Sequence, residues 1–246
     1  MTPATDPTST ATTHPRLPAR RGGGTGTWWS KAVLRAVEEA AFSAADLRAG
    51  RSLARAGAVG AITVADGHAL AAVKDGHDAF TVEVTMPVLD ASDAAAVTEL
   101  VAAESGRIAA LLAGQLPHAF VEAVEEAGVE LLPYGGELGS ACTCDAWLDP
   151  CPHALAVLTQ LAWLIQADPF VLTHLRGLAR DRVLRDLHRI TTPHASAPVL
   201  GVESPGDSPA GDGPDDPDEV DDLVVAEDAA VRAARLLQQE QPFDAW

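Results

Sequence analysis

Twelve consecutive positions carry the chain's most specific chemistry: Cys142-Thr-Cys144-Asp-Ala-Trp147-Leu-Asp-Pro-Cys151-Pro-His153. All three cysteines of the chain fall in this window. Three thiolates and one imidazole complete the tetrahedron of a structural Zn2+ site and leave no position for water. Zn–S bonds of about 2.3 Å place neighbouring sulfurs roughly 3.8 Å apart. A Cys-x-Cys pair in extended chain meets that requirement, because residues i and i+2 point to the same side of a strand. Pro152 suits the first position of a helix, where its missing N–H has no partner to lose. His153 then falls in the first helical turn, where the helix dipole favours a nearby thiolate cluster. Two other readings exist: small buried cysteines with an exposed histidine, or a redox pair. The first does not explain the clustering, and Cys-x-Cys with a third Cys and a His is an atypical redox arrangement.

One structural zinc held by Cys142, Cys144, Cys151 and His153 is therefore expected. A catalytic zinc usually keeps an open position. Asp145 and Asp149 read as turn residues rather than general bases, Asp149 because it precedes Pro150. The chain has no P-loop, no dinucleotide fingerprint and no nucleophile–base set. Neither an enzyme nor a small-molecule substrate is expected.

The elements that must position these residues are legible in outline. Ala58–Val64, Ala69–Lys74 and Ala79–Met86 alternate apolar and polar residues, with Asp66-Gly67 and Asp75-Gly76 as turn signals. They read as a three-stranded antiparallel meander with one buried and one wet face. Before it, Ser30 reads as the cap of a helix running to about Ser43, with Trp28-Trp29 anchoring that helix on the core. A turn-like stretch around Gly50 follows. After the meander, Ser92–Ala113 reads as a helix with a joint at Gly106, and Pro117–Ala127 as another. Val129–Leu132 reads as a short strand and Tyr134–Gly139 as a glycine-rich loop. Pro152–Gln166, Pro169–Arg176 and Leu178–Ile190 read as short helices beyond the cysteines. The fold class is α+β: the meander with several helices, then a small zinc-stabilised finger and short C-terminal helices.

Charge divides the chain further. The 246 residues hold 17 basic and 35 acidic side chains, a formal charge of −18. Residues 196–246 contain 13 acidic and 2 basic residues, a net of −11, which leaves −7 for the body. Whole-protein charge thus opposes condensation on nucleic acid or an anionic membrane. The expected segments are a disordered lead (1–27), an α+β domain (28–132), the finger with its following helices (133–192), and an acidic disordered tail with a possible terminal helix at Leu223–Gln239 (193–246). In the lead, Arg20, Arg21 and the glycines after them have the composition to touch phosphates, or simply to stay solvated. Residues 1–26 lack the apolar segment of a secretory signal, and no apolar run is long enough to span a bilayer. A cytoplasmic protein with reduced thiols is expected.

The pattern Cys-x-Cys, six residues, Cys-x-His resembles the SWIM zinc finger. Trp147 stands where that family often has an aromatic, Pro150 precedes the third cysteine, and the helix with Ala154, Ala156, Val157 and Leu158 follows the histidine. Trp28-Trp29, Gly50-Arg51-Ser52, Ala54-Arg55-Ala56-Gly57, Asp168-Pro169-Phe170 and Leu175-Arg176-Gly177 also resemble bacterial SWIM-containing proteins, so the likeness covers about residues 28–190. It implies a protein-interaction role, with a SWI/SNF-like helicase ATPase as the implied partner in DNA-linked processes. Many relatives carry a basic residue between the last Cys and His, where this chain has Pro152; that departure bears on whether the finger itself grips phosphate. Direct, weak DNA binding is the alternative function. Its candidate residues are Arg176, Arg180, Arg182, Arg185 and Arg189, set against a reading in which Asp181 and Asp186 pair with a solvated helix face.

Overall fold

Two glycines set the centre of the sheet. Gly67 (φ +76°) and Gly76 (φ +61°) adopt the left-handed backbone that tight hairpin turns require. In the computed structural model they join β2 (Val59–Ala65), β3 (His68–Asp75) and β4 (Asp78–Thr85) as the expected meander. The second turn is Gly76-His77, so Asp75 is the last residue of its strand, paired with Asp78.

The meander is the middle of a larger sheet. The order is β1-β2-β3-β4-β5, antiparallel throughout, so the expectation of three strands is short by one at each edge. β1 (Thr12–His14) comes from the stretch expected to be a disordered lead; the hydroxyls of Thr13 and Thr63 lie 3.0 Å apart across that pairing. β5 (Gly139–Cys142) carries the first cysteine. Both edge strands are too short to show alternation, and they gain β structure by pairing with an existing edge. The structure describes residues 11–21 and 26–192. The expected acidic tail, its terminal helix and the remainder of the lead lie outside the described residues.

One face of the sheet is apolar: Ile62, Val64, Ala69, Ala71, Val73, Val82 and Val84 are buried, while Thr81, Glu83 and Thr85 are exposed. Against the apolar face packs α6 (Pro152–Ala167), which is buried along nearly its whole length. Helix α1 (Trp28–Ala40) lies against α6 and turns Trp29, Val33, Ala36 and Val37 inward. The paired tryptophans anchor it: Trp29 Nε1 donates to the Ile165 carbonyl at 3.1 Å and Trp28 Nε1 to the Leu116 carbonyl at 3.2 Å. Thr27, not Ser30, caps this helix; Ser30 is buried and bonds Gln166.

The stretch around Gly50, expected to be a turn, is instead helix α2 (Ala44–Ala56), capped by Ser43 and closed by Gly57 at φ +69°. Gly50 is there for contact rather than for bending. A Cβ on it would lie 2.6 Å from Leu155 Cβ and 2.8 Å from the Pro152 carbonyl oxygen, so its lack of a side chain lets α2 and α6 approach closely.

The other helices are α3 (Ala91–Ala102), α4 (Ser105–Leu112), α5 (His118–Glu126), α7 (Phe170–Leu175) and α8 (Arg180–Thr191). The joint expected at Gly106 falls at Ala103-Glu104. Residues 129–132 form no strand; Leu131 among them is fully buried. The meander, α6 and Cys151 belong to one hydrophobic core. Among the described residues no helix is long and apolar enough to cross a membrane.

Candidate metal centre

The four candidate ligands come from three local structures. β5 places Cys142 opposite Val82 of β4. Gly139 lets that strand lie close against β4, because a Cβ there would collide with Thr85 Oγ1. The pairing continues one residue past the strand: the Thr143 amide donates to the Thr81 carbonyl at 3.1 Å, and the Thr81 amide donates to Thr143 Oγ1 at 3.0 Å. Thr143 is thus held on β4, and Cys142 and Cys144 flank it. The chain then loops out through Trp147, whose side chain is 88% exposed.

It returns at Cys151, the N-cap of α6. The Cys151 sulfur accepts from the Ala154 amide at 3.5 Å, and Pro152 opens the helix as expected. His153 lies in the first turn with its Nδ1 facing the sulfurs, 3.8 Å from Cys142 Sγ and 4.0 Å from Cys151 Sγ. The four ligand atoms all lie within 4.8 Å of one another, so the group could hold a metal ion. The two nitrogen–sulfur separations lie near the roughly 3.5–3.8 Å edges of a tetrahedral thiolate–imidazole site.

The electrostatics of the group point the same way. Burial pushes the Cys142 thiol up to about 12 and also raises Cys151. Cys144 is likewise opposed by burial, but the Ala146 amide, His153 and the other two sulfurs together bring it down to about 7. Three sulfurs this close cannot all ionise without a cation among them. A divalent ion would displace the protons and remove the repulsion.

One supporting residue was not legible in the sequence. Asp75, at the end of β3, places Oδ2 3.3 Å from His153 Nε2. A metal-bound histidine commonly donates its second ring N–H to a carboxylate, which fixes its tautomer and orientation. Phe80 stacks on the imidazole, with ring centroids 4.4 Å apart and an interplanar angle of 23°. Asp75-Gly76 reads in the sequence only as a turn, and nothing in that dipeptide points to residue 153.

Of the five candidate nucleic-acid arginines, one is buried and four stand on a single helix. Arg176 is only 2% exposed. Its guanidinium forms a double contact with Glu137 (2.8 and 3.1 Å) and donates to the carbonyls of Pro87, Leu131 and Leu132. It ties the end of α7 to residues 129–132, the segment expected to be a strand, and is removed from the binding set. The other four lie exposed on α8. Arg182 and Arg189 both approach Asp186, at 3.8 and 3.2 Å, and Arg180 lies over the Phe170 ring.

No protein-family model matches the chain, and no solved structure shows a significant match. The chain is similar to the uncharacterized protein Rv2102 of Mycobacterium tuberculosis, with 30% identity over 169 residues. The match takes in 68% of this chain and 61% of that relative, so the chain spans about three-fifths of the relative's length.

Proposed function

We propose that the chain is a zinc-stabilised, non-enzymatic accessory protein of SWIM type that works by binding another protein. The observation that carries the reading is the convergence of Cys142, Cys144, Cys151 and His153 at the junction of sheet edge and α6. Zinc is the ion such a donor set favours: three thiolates and an imidazole at tetrahedral spacing, with a carboxylate behind the imidazole. Four protein donors fill the coordination sphere, which makes the ion structural.

The loop between the second and third cysteines supports the interaction role. It holds Trp147 almost fully in solvent, with Asp145 and Asp149 exposed two residues to either side. Large exposed aromatics are the residues most often found at the centre of protein interfaces. The acidic flanks favour a basic rim on the partner. A helicase-like ATPase fits as that partner on the SWIM resemblance, in a DNA-linked process.

The test is affinity capture from the native cell with nuclease present, using the wild-type chain and Trp147→Ala. The reading expects an ATPase of that class with the wild type and its loss with the variant, at unchanged zinc content. Equal capture by both forms would remove the finger loop from the interface, and no such ATPase would remove the partner.

A further inference from the structure

The strongest unassigned feature is a cleft on the other side of α6 from the sheet. Its floor is one stripe of α6: Thr159, Trp163 and Gln166. Lys31 of α1 and Arg51 and Arg55 of α2 form its walls. Arg20 reaches in from the N-terminal segment, its guanidinium 4.6 Å above the Trp163 ring. The cavity measures about 270 Å³.

Among the described residues, four cationic side chains line it and no carboxylate does. That is unusual for a chain of formal charge −18. Residues 11–57, which supply the walls, hold eight basic and three acidic residues, a local net of +5. Close cations repel each other, and among the described residues only Arg51 of these four has an acidic partner, Glu38, which stands half-exposed outside the cleft. The arrangement is also held in place. The Arg20 amide donates to the Arg55 carbonyl at 2.9 Å, Arg16 bonds the Gly57 carbonyl, and Trp163 stacks Arg20. Gly26 keeps the mouth clear, since a Cβ there would sit 3.2 Å from Ser30 Oγ and 3.5 Å from Gln166 Oε1.

We propose that this cleft between α1 and α2 binds the phosphates of a single-stranded nucleic acid, as a site separate from the metal centre. Guanidinium groups match phosphate geometry with paired N–H donors. A strand with unpaired bases can also set a base beside the Arg20–Trp163 pair, which a duplex cannot do. Binding is local, because the rest of the protein repels the polyanion, and it weakens with salt, because each phosphate contact releases condensed counterions.

The experiment is an anisotropy titration of a labelled oligothymidylate of about 20 nucleotides at roughly 50 mM salt, with micromolar affinity expected. Lys31→Glu and Arg55→Glu, made singly, should each weaken binding at least about fivefold and flatten the salt dependence. Arg185→Glu, an equal charge change on the exposed face of α8, should leave it unchanged. Thermal melts of all three variants check that the fold persists. A duplex of the same length should bind more weakly, and tripolyphosphate or ATP should compete only at far higher concentration. The proposal is overturned if the wild type does not bind, if the cleft variants bind as well as it does, or if Arg185→Glu weakens binding as much. Displacement by tripolyphosphate at equal phosphate concentration would assign the cleft to free polyphosphates and overturn the strand as its ligand.

Discussion

Replacing Asp75 by alanine isolates what the sheet contributes to the metal centre. The carboxylate touches no sulfur; its effect runs through the 3.3 Å contact with His153 Nε2. Loss of such an outer partner typically costs 10–100-fold in metal affinity. The Asp75 side chain is 55% exposed and that of His153 11%. Water therefore replaces part of the lost interaction, which puts the expected loss at the low end, about tenfold, or about 1.4 kcal/mol. Asp75→Asn keeps an acceptor oxygen without the charge and should fall between alanine and wild type. Asp78→Ala, on the same hairpin but without a contact to the imidazole, should match the wild type. The assay is competition for zinc against a chromophoric chelator of known affinity. If Asp75→Ala binds zinc as tightly as wild type while His153→Ala does not, the imidazole is oriented by α6 alone and the second-layer argument fails.

Other perturbations test the packing and the site chemistry. Gly50→Ala should destabilise the fold by about 1–3 kcal/mol through overpacking of α2 on α6, read by denaturant unfolding; an unchanged midpoint would mean the helices can separate freely. Glu137→Ala leaves the Arg176 guanidinium buried without its counter-charge and should cost about 3–5 kcal/mol in the same measurement, whereas a purely surface pair would cost under about 1 kcal/mol. Zinc affinity should fall as pH falls: burial holds the Cys142 and Cys151 thiols up in the metal-free group, so binding must release their protons. Each released proton weakens binding about tenfold per pH unit of acidification, and a flat profile between about pH 8 and 6 would contradict thiol ligation.

How well the sequence could be read depended on whether a feature is local. The Cys/His cluster was legible because cysteine is scarce in this chain and the spacing alone restricts the geometry. The meander was legible because alternation and glycine turns are short-range signals. Helix α2 was hidden by Gly50, whose meaning lies in Leu155 and Pro152, about a hundred positions away. β1 is three residues of a Thr- and Pro-rich stretch and exists as a strand only against β2. Arg176 was misread for the same reason: its sequence neighbourhood is basic, but its partners are Glu137 and three distant carbonyls. The basic cleft draws on four separate segments, of which only Arg20 and the glycines after it stood out in the sequence.

If Cys142, Cys144, Cys151 and His153 hold one structural zinc, elemental analysis of the protein purified without chelators should find it. One equivalent of zinc per chain is expected, lost in Cys151→Ser together with a lowered melting transition. Well under about half an equivalent in the wild type, or full zinc and an unchanged melt in Cys151→Ser, would contradict it.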